Sequence, residues 1–160
     1  MLFRSNWTKG FFSDTYNLFS ENLQIGSLKE KSFSQTAIAT INNKEYIFKT
    51  KGFFKQQTSI TDSLNNLLIG EITYNSFSNK AEIKLNGKTL EWKYDNFWNT
   101  KWSLSDSAGT KVAFRGSTSK GQVESNTEDD LMILAGLFVL NYYWQMTAVI
   151  LLVILIPILT

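Results

Sequence analysis

Hydrophobic and polar residues alternate most regularly on the two sides of the pair Asn86-Gly87. Residues 81–85 and 88–94 each place every second side chain in an apolar set, with charged or polar residues between them. Asn-Gly is typical of a two-residue hairpin turn, because both positions tolerate a positive φ. The pattern therefore predicts two antiparallel strands with one buried face and one wet face. The predicted inward residues are Ala81, Ile83, Leu85, Leu90, Trp92 and Tyr94.

The same pattern occurs earlier in the chain at an offset of 44 residues. Residues Leu23–Asp62 align without gaps to Leu67–Asp106, and thirteen of the forty aligned pairs are identical. The identities include Ile25-Gly26 with Ile69-Gly70 and Ser32–Ser34 with Ser76–Ser78. We interpret this as an internal repeat that organises the fold.

Each repeat unit is predicted to contain four short strands, with about eleven strands in total. The first strand of each unit begins at an aromatic pair. Four aromatic residues at alternating positions are expected in the core: Tyr74, Trp92, Trp98 and Trp102. The predicted strands cover residues 11–19, 23–29, 36–41, 53–61, 67–74, 80–85, 88–94, 97–105, 111–115 and 121–125, and the counterpart of 88–94 in the first unit brings the count to about eleven.

The pattern changes after residue 125. Ser125 or Thr127 is a suitable helix cap, and Glu128–Asp130 places negative charge at the positive end of a helix beginning at about residue 128. From Leu131 to Leu159 no residue is charged. A helix that is apolar on every side must lie inside protein or lipid.

A strand repeat with an Ile-Gly element, followed by an acidic cap and one apolar helix, resembles the Tubby C-terminal-like superfamily. This superfamily includes the LURP-one-related proteins and the phospholipid scramblases. The motifs that carry the resemblance are Leu68–Ile72 and Leu134–Phe138, and the likeness covers roughly Phe11 to Trp144. The phosphoinositide-binding and metal-binding residues of the family have no counterpart here, so neither activity is implied.

The resemblance implies a mainly β fold: a closed antiparallel barrel of about eleven to twelve strands, built from the 44-residue repeat and enclosing the hydrophobic C-terminal helix. A barrel of this size leaves room in its interior for such a helix. The helix residues expected to fill the barrel are Leu131, Ile133, Leu134, Leu137 and Phe138.

Two interpretations of the apolar end compete. In the first, residues 1–145 form the barrel with its central helix at about 128–145, and residues 146–160 form a separate apolar tail. In the second, Leu131–Leu159 is one transmembrane helix. We favour the first, because a single span would place Asn141 and Gln145 near the middle of the membrane. It puts Tyr142, Tyr143 and Trp144 at a water–lipid boundary, and Val149, Leu152 and Ile156 in a membrane-facing tail.

Composition excludes several kinds of chemistry. The chain has no histidine and no cysteine, so His or Cys catalysis and His or Cys metal sites are excluded. Its net charge of +2 does not suggest a nucleic acid partner. We expect no enzyme activity, no cofactor and no metal. The first residues lack the apolar core of a signal peptide, so we expect a membrane-associated protein on the cytoplasmic face.

Four lysines recur at matching repeat positions that are expected to face outward as a stripe: Lys44, Lys49, Lys88 and Lys93. They are candidates for contact with anionic lipid, although a solvated strand face explains them more simply. The leading hypothesis is a non-enzymatic barrel that binds lipid or a membrane protein through its C-terminal region. The alternative is a soluble ligand- or partner-binding barrel whose tail packs in a homomeric interface, and lipid translocation of the scramblase kind is a third.

Overall fold

A computed structural model of the chain describes residues 1–10, 13–30, 35–52, 56–75 and 79–159. Twelve strands and one helix are formed by these residues. The strands are β1 Phe3–Lys9, β2 Thr15–Ser20, β3 Leu23–Glu30, β4 Thr36–Ile41, β5 Lys44–Lys51, β6 Gln57–Asp62, β7 Leu67–Asn75, β8 Lys80–Leu85, β9 Lys88–Tyr94, β10 Lys101–Ser105, β11 Lys111–Gly116 and β12 Lys120–Ser125, and the helix is α1 Asp130–Leu159.

The strands form one closed barrel in which each strand pairs antiparallel with its neighbours in sequence. This confirms the predicted fold class, a closed antiparallel barrel with a C-terminal helix. The ring closes through β1, which pairs with both β2 and β12 and was not among the eleven strands predicted. Trp7 of β1 lies opposite Gly121 of β12, where a Cβ atom would approach the indole ring to 2.0 Å. Glycine at this position therefore lets the bulky indole pack at the closing seam.

The predicted hairpin at Asn86-Gly87 is confirmed, since β8 and β9 match the predicted strands and their inward residues lie against or within the core. The first strands of the units begin later than predicted. The predicted starts at Phe11 and Phe53 lie outside the described residues, as do Ser32–Ser34 and Ser76–Ser78 of the repeat alignment.

The prediction for residues 97–100 was wrong, because β10 begins only at Lys101. The side chain of Asn96 accepts hydrogen bonds from the backbone amides of Thr100 and Lys101, which closes a loop here instead of a strand. Trp98 lies in this loop and is 79% exposed, so its predicted place in the core was also wrong. Trp92 and Trp102 are fully buried, as expected.

Gly26 and Gly70 occupy similar sites at the 44-residue offset of the predicted repeat. Each lies beside a β-bulge, between β2 and β3 and between β6 and β7 respectively. A Cβ atom at Gly26 would lie 2.9 Å from the Thr40 carbonyl oxygen, and one at Gly70 would lie 2.5 Å from the Lys84 carbonyl oxygen. Both glycines therefore allow a close approach of neighbouring strands.

The first half of α1 fills the barrel. All five residues predicted to do so are buried, and residues 131–141 form a continuous buried stretch of helix. The indole Nε1 of Trp92 donates a hydrogen bond to the Gly136 carbonyl oxygen at 3.1 Å. A Cβ atom at Gly136 would lie 2.5 Å from the Phe114 ring, so glycine is needed where the helix passes this ring.

The helix begins and ends at different residues from those predicted. Its cap is Asp129 rather than Ser125 or Thr127, because the Asp129 carboxylate accepts a hydrogen bond from the Leu131 amide. From Asp130 the helix continues to Leu159 without a break at Gln145, and Pro157 lies within its last turn. The apolar residues after 145 therefore extend the barrel helix directly. Residues 144–159 project about 24 Å beyond the barrel at 1.5 Å per residue.

Candidate functional site

The helix leaves the barrel at one end, which we call the exit end. The connections β1–β2, β3–β4, β5–β6, β7–β8, β9–β10 and β11–β12 lie at this end. The opposite end, where Asp129 caps the helix, is called the cap end. Lys9 marks the exit end at the close of β1, with its Nζ atom 5.9 Å from the ring centre of Trp144.

Glu30, at the end of β3, forms a hydrogen-bonded group with the helix at this exit. The side-chain amide of Asn141 donates to the Glu30 carboxylate, and that of Gln145 donates to the same oxygen at 3.3 Å. The Tyr16 hydroxyl donates to Asn141 Oδ1 at 3.5 Å. Asn141 is only 2% exposed. Two polar residues within the apolar helix are thus bonded to the rim of the barrel.

Burial raises the pKa of Glu30 from its ordinary value of 4.5 to about 7. The positive charge of Lys9 and the amides of Gln145 and Asn141 oppose this rise in the pKa, and the nearby Asp14 adds a smaller contribution to it. Burial also raises the pKa of Tyr16, and the nearby Glu30 and Tyr94 add to that shift. The exit end therefore contains a carboxyl group that titrates near neutral pH.

A second group of hydroxyls holds the helix on the other side of the exit. The ring of Tyr142 stacks on Tyr74 with ring centres 3.8 Å apart, and its hydroxyl donates to Gln56 Oε1. Thr58 shares a 2.7 Å hydrogen bond with the Tyr74 hydroxyl. Tyr143 is buried, and its hydroxyl donates to the Lys80 carbonyl oxygen. These bonds fix the position at which the helix leaves the barrel.

A partly open cavity of about 200 Å³ lies at the exit, beside α1 and next to β3, β4 and β5. Its lining includes the polar residues Glu30, Thr50 and Gln145 and the apolar residues Phe138 and Val149. The cavity therefore joins the buried carboxyl group to the start of the exposed apolar helix.

The three aromatic residues predicted at a water–lipid boundary all lie at the exit, but only Trp144 is well exposed, at 53%. The predicted tail residues are also exposed: Val149 is 55%, Leu152 60% and Ile156 60% exposed. In the part of the chain described, α1 is the one helix long and apolar enough to cross a membrane, on length and composition. An apolar rod thus leaves the barrel through a ring of polar and aromatic contacts.

The structure does not bring the four candidate lysines together. Lys44 and Lys88 open β5 and β9 at the cap end, whereas Lys49 and Lys93 lie near the exit end of the same strands. Alternate residues of a strand share a face, so Lys44 lies on the same face of β5 as the buried Phe48, and Lys88 on the same face of β9 as the buried Trp92. The four lysines therefore do not form one outward-facing stripe, because two of them lie on the inward face of their strands.

The sequence pattern did not indicate a role for Glu30, because it looks like an ordinary charged residue at the end of a strand. The available signal was Asn141, a polar residue within an apolar helix, which needs a buried hydrogen-bond partner. That partner lies 111 residues away along the chain. Only the closed ring of strands places the two side chains together.

Replacing Glu30 with glutamine should change how stability depends on pH. A carboxyl whose folded pKa is raised stabilises the fold below its unfolded pKa, and this contribution is lost as pH rises from about 4.5 through about 7. Relative to wild type, Glu30→Gln should gain up to about 3 kcal/mol in free energy of unfolding at pH 8 and little at pH 4. Urea unfolding in a mild detergent measures this. The control is Glu71→Gln on the exposed outer face. A pH profile for Glu30→Gln that parallels wild type would contradict the assignment.

No protein-family model, curated protein or solved structure matches this chain. The candidate site is therefore interpreted from its own geometry: a titrating carboxyl, a small cavity and an exposed apolar helix at one end of a barrel.

Proposed function

We propose that the protein is a non-enzymatic, membrane-associated barrel that binds lipid or a membrane protein through the exposed half of α1. The observation that carries this proposal is the exposure of residues 149–159, which are uncharged and almost entirely aliphatic. Ten of the residues from Ala148 to Leu159 are Val, Ile or Leu. At about 0.3–0.6 kcal/mol each, their transfer to lipid is favourable by about 3–6 kcal/mol.

The dimensions of the exit end suit this role. If Trp144 lies at the headgroup level, the remaining helix reaches about 22 Å into a hydrocarbon core that is about 30 Å thick. Tyr142 and Trp144 have rings with one apolar and one polar part, which favour the boundary between water and lipid. Glu30 and Asn141 then remain at the polar level, where the barrel supplies their hydrogen bonds.

The helix is apolar on every side, which favours lipid over a homomeric interface. A tail packed against a second copy would bury one side of the helix and leave the other in water. The exposed residues include Val149, Ile150, Leu151 and Leu152, which are consecutive and so point in four directions around the helix axis. Lipid covers all of these directions at once.

Membership of the Tubby C-terminal-like superfamily is part of this proposal. The closed barrel and the central apolar helix support it, as does the motif at Leu134–Phe138, which lies inside the barrel. In the superfamily the central helix tends to end the domain, whereas here it continues beyond the barrel. We propose neither phosphoinositide recognition nor metal-dependent lipid translocation on the basis of the resemblance.

Membrane fractionation of the intact chain tests the proposal. We expect the full chain to stay with membranes after washing in high salt and to be released by detergent. Deleting residues 147–160 should yield a soluble, folded monomer, because these residues do not belong to the buried part of the helix. Recovery of the full chain as a soluble monomer without detergent would overturn the proposal. A deletion variant that is unstable or dissociates from an oligomer would favour the homomeric interface instead.

A further inference from the structure

Charged residues are segregated between the two ends of the barrel. We compare the connections at each end together with three strand residues on either side, and count described residues alone. The exit end then carries nine basic and four acidic residues, and the cap end, with the first three residues of β1 and Asp130 included, carries five basic and eight acidic residues. The acidic residues at the exit end are Asp14, Glu30, Glu82 and Asp95. The near-neutral total of +2 therefore conceals a positive end and a negative end.

The nine basic residues, which we call the basic collar, surround the helix where it emerges. Eight of the twelve strands contribute to it, so positive charge occurs on all sides of the exit. Lys9 and Lys93 are partly buried and the other members are exposed. The members are Lys9, Lys29, Lys49, Lys51, Lys80, Lys93, Lys101, Arg115 and Lys120.

The basic collar is only partly balanced by acidic groups of the exit end, and no member of it forms an ion pair with another described residue. The two ion pairs of the described residues are Arg4–Glu124 and Glu82–Lys84, and neither includes a member of the basic collar. Lys80 and Lys93 even lie directly opposite each other on β8 and β9. Like charges placed across neighbouring strands are unfavourable. Their arrangement indicates that the positive charge serves an external partner.

We propose that the exit end rests on the surface of a bilayer containing anionic phospholipid, with the basic collar facing the headgroups. This inference rests on the proposed function, because the apolar helix leaves the barrel through the middle of the basic collar. An apolar insert surrounded by positive charge matches the two layers of such a bilayer, hydrocarbon inside and negative headgroups outside. The negative cap end then faces away from the membrane, which fixes the orientation of the barrel.

The basic collar should make binding depend on lipid charge and on salt. Each basic residue near an anionic surface contributes about 1 kcal/mol, equivalent to roughly five-fold in partitioning. Screening over about 10 Å at 0.1 M salt weakens this attraction as salt is added. Partitioning to anionic vesicles should therefore exceed partitioning to neutral vesicles at least ten-fold at low salt. The difference should shrink at 0.5 M salt.

The repeat supplies a matched pair of variants for the test. Lys49→Glu/Lys93→Glu reverses two charges at the exit end, and Lys44→Glu/Lys88→Glu makes the same change in net charge on the same strands at the cap end. The full chain is added to protein-free vesicles of phosphatidylcholine, with or without 30% phosphatidylserine, and bound protein is separated by flotation. Circular dichroism verifies that each variant is folded.

The exit-end variant should lose the preference for anionic vesicles by more than ten-fold, and the cap-end variant should retain it. Equal partitioning of the wild type to both kinds of vesicle would overturn the basic collar while leaving the proposed membrane association intact. Equal losses in the two variants would show an effect of net charge alone and would also overturn it. If the wild type binds neither kind of vesicle, the basic collar has no lipid partner and the lipid arm of the proposed function fails with it, which leaves a membrane protein as the partner of the apolar helix.

Discussion

Leu152→Lys/Val153→Lys should release the protein from membranes while leaving the barrel folded. Both side chains are well exposed, and being adjacent they point to different sides of α1. They lie about 13 Å along the helix from Trp144, close to the middle of a bilayer whose half-thickness is about 15 Å. Replacing leucine or valine by lysine there costs about 3–4 kcal/mol per residue. The cost of the double change therefore exceeds the ~3–6 kcal/mol that the proposed insertion of the tail into lipid would supply.

Vesicle flotation measures the loss, and thermal unfolding followed by circular dichroism measures the state of the barrel. With neutral phosphatidylcholine vesicles, to which the basic collar is not attracted, we expect the floated fraction to fall to background with little change in the melting temperature. The control is Leu64→Lys/Leu68→Lys, which makes the same kind of change at two exposed residues of the cap end. That variant should float like the wild type. Undiminished flotation of the Leu152→Lys/Val153→Lys variant would show that the helix does not insert into lipid.

The sequence pattern predicted those parts of the barrel in which the paired strands are close together along the chain. β8 and β9 could be located from the alternation around Asn86-Gly87, because a two-residue turn fixes the pairing of the strands beside it. β1 escaped prediction because its place depends on β12, more than a hundred residues later. Of its seven residues only Trp7 is fully buried, so alternation in β1 is weak. Its role becomes visible only when the ring of strands is closed.

The exposure of Trp98 shows where repeat logic misleads. Trp98 aligns with Phe54 at the 44-residue offset, and a repeated aromatic residue suggests a repeated core position. In the structure the backbone here is held by the side chain of Asn96, which turns residues 96–100 into an exposed loop. Trp98 and its neighbour Phe97 are therefore two exposed aromatic residues at the exit end of the barrel.

The segregation of charge could not be seen along the sequence. An antiparallel barrel returns the chain to the same end after every second strand, so residues of one end are separated by stretches that belong to the other. Lys49 and Lys93 belong to the exit end, while Lys44 and Lys88, only five residues before each of them, belong to the cap end. A net charge averages over both ends. Charge becomes informative here only after each residue has been assigned to an end.

The structure of the apolar C-terminal segment combines features of both interpretations made from the sequence. Leu131–Leu159 is a single helix, as the transmembrane interpretation required, yet residues 131–141 lie inside the barrel, as the barrel interpretation required. The polar residues that separate the two halves, Asn141 and Gln145, mark the rim rather than a break in the helix. One helix therefore has a half that is buried in the barrel and a half that is exposed, and a substitution should act differently in each half.

Leu137→Asp should unfold the barrel, whereas Leu152→Asp should leave it folded. Leu137 is completely buried in the barrel interior. Removing its side chain costs about 2–5 kcal/mol, and burying an ionised carboxylate costs several more. Together these costs approach or exceed the 5–15 kcal/mol that stabilises a typical domain. Leu152→Asp is the same substitution on the same helix, but Leu152 lies beyond the barrel, where no interior packing is lost.

The readouts are far-ultraviolet circular dichroism and resistance to a protease, both measured in a mild detergent so that membrane insertion does not affect the result. Leu137→Met controls for simple sensitivity of the position, because it preserves apolarity and volume and should cost less than about 1.5 kcal/mol. If Leu137→Asp kept the strand signal and the protease resistance of the wild type, the barrel would not depend on a helix in its interior. If Leu152→Asp also unfolded the barrel, the exposed half of the helix would be structural, and a homomeric interface would then explain it better than lipid.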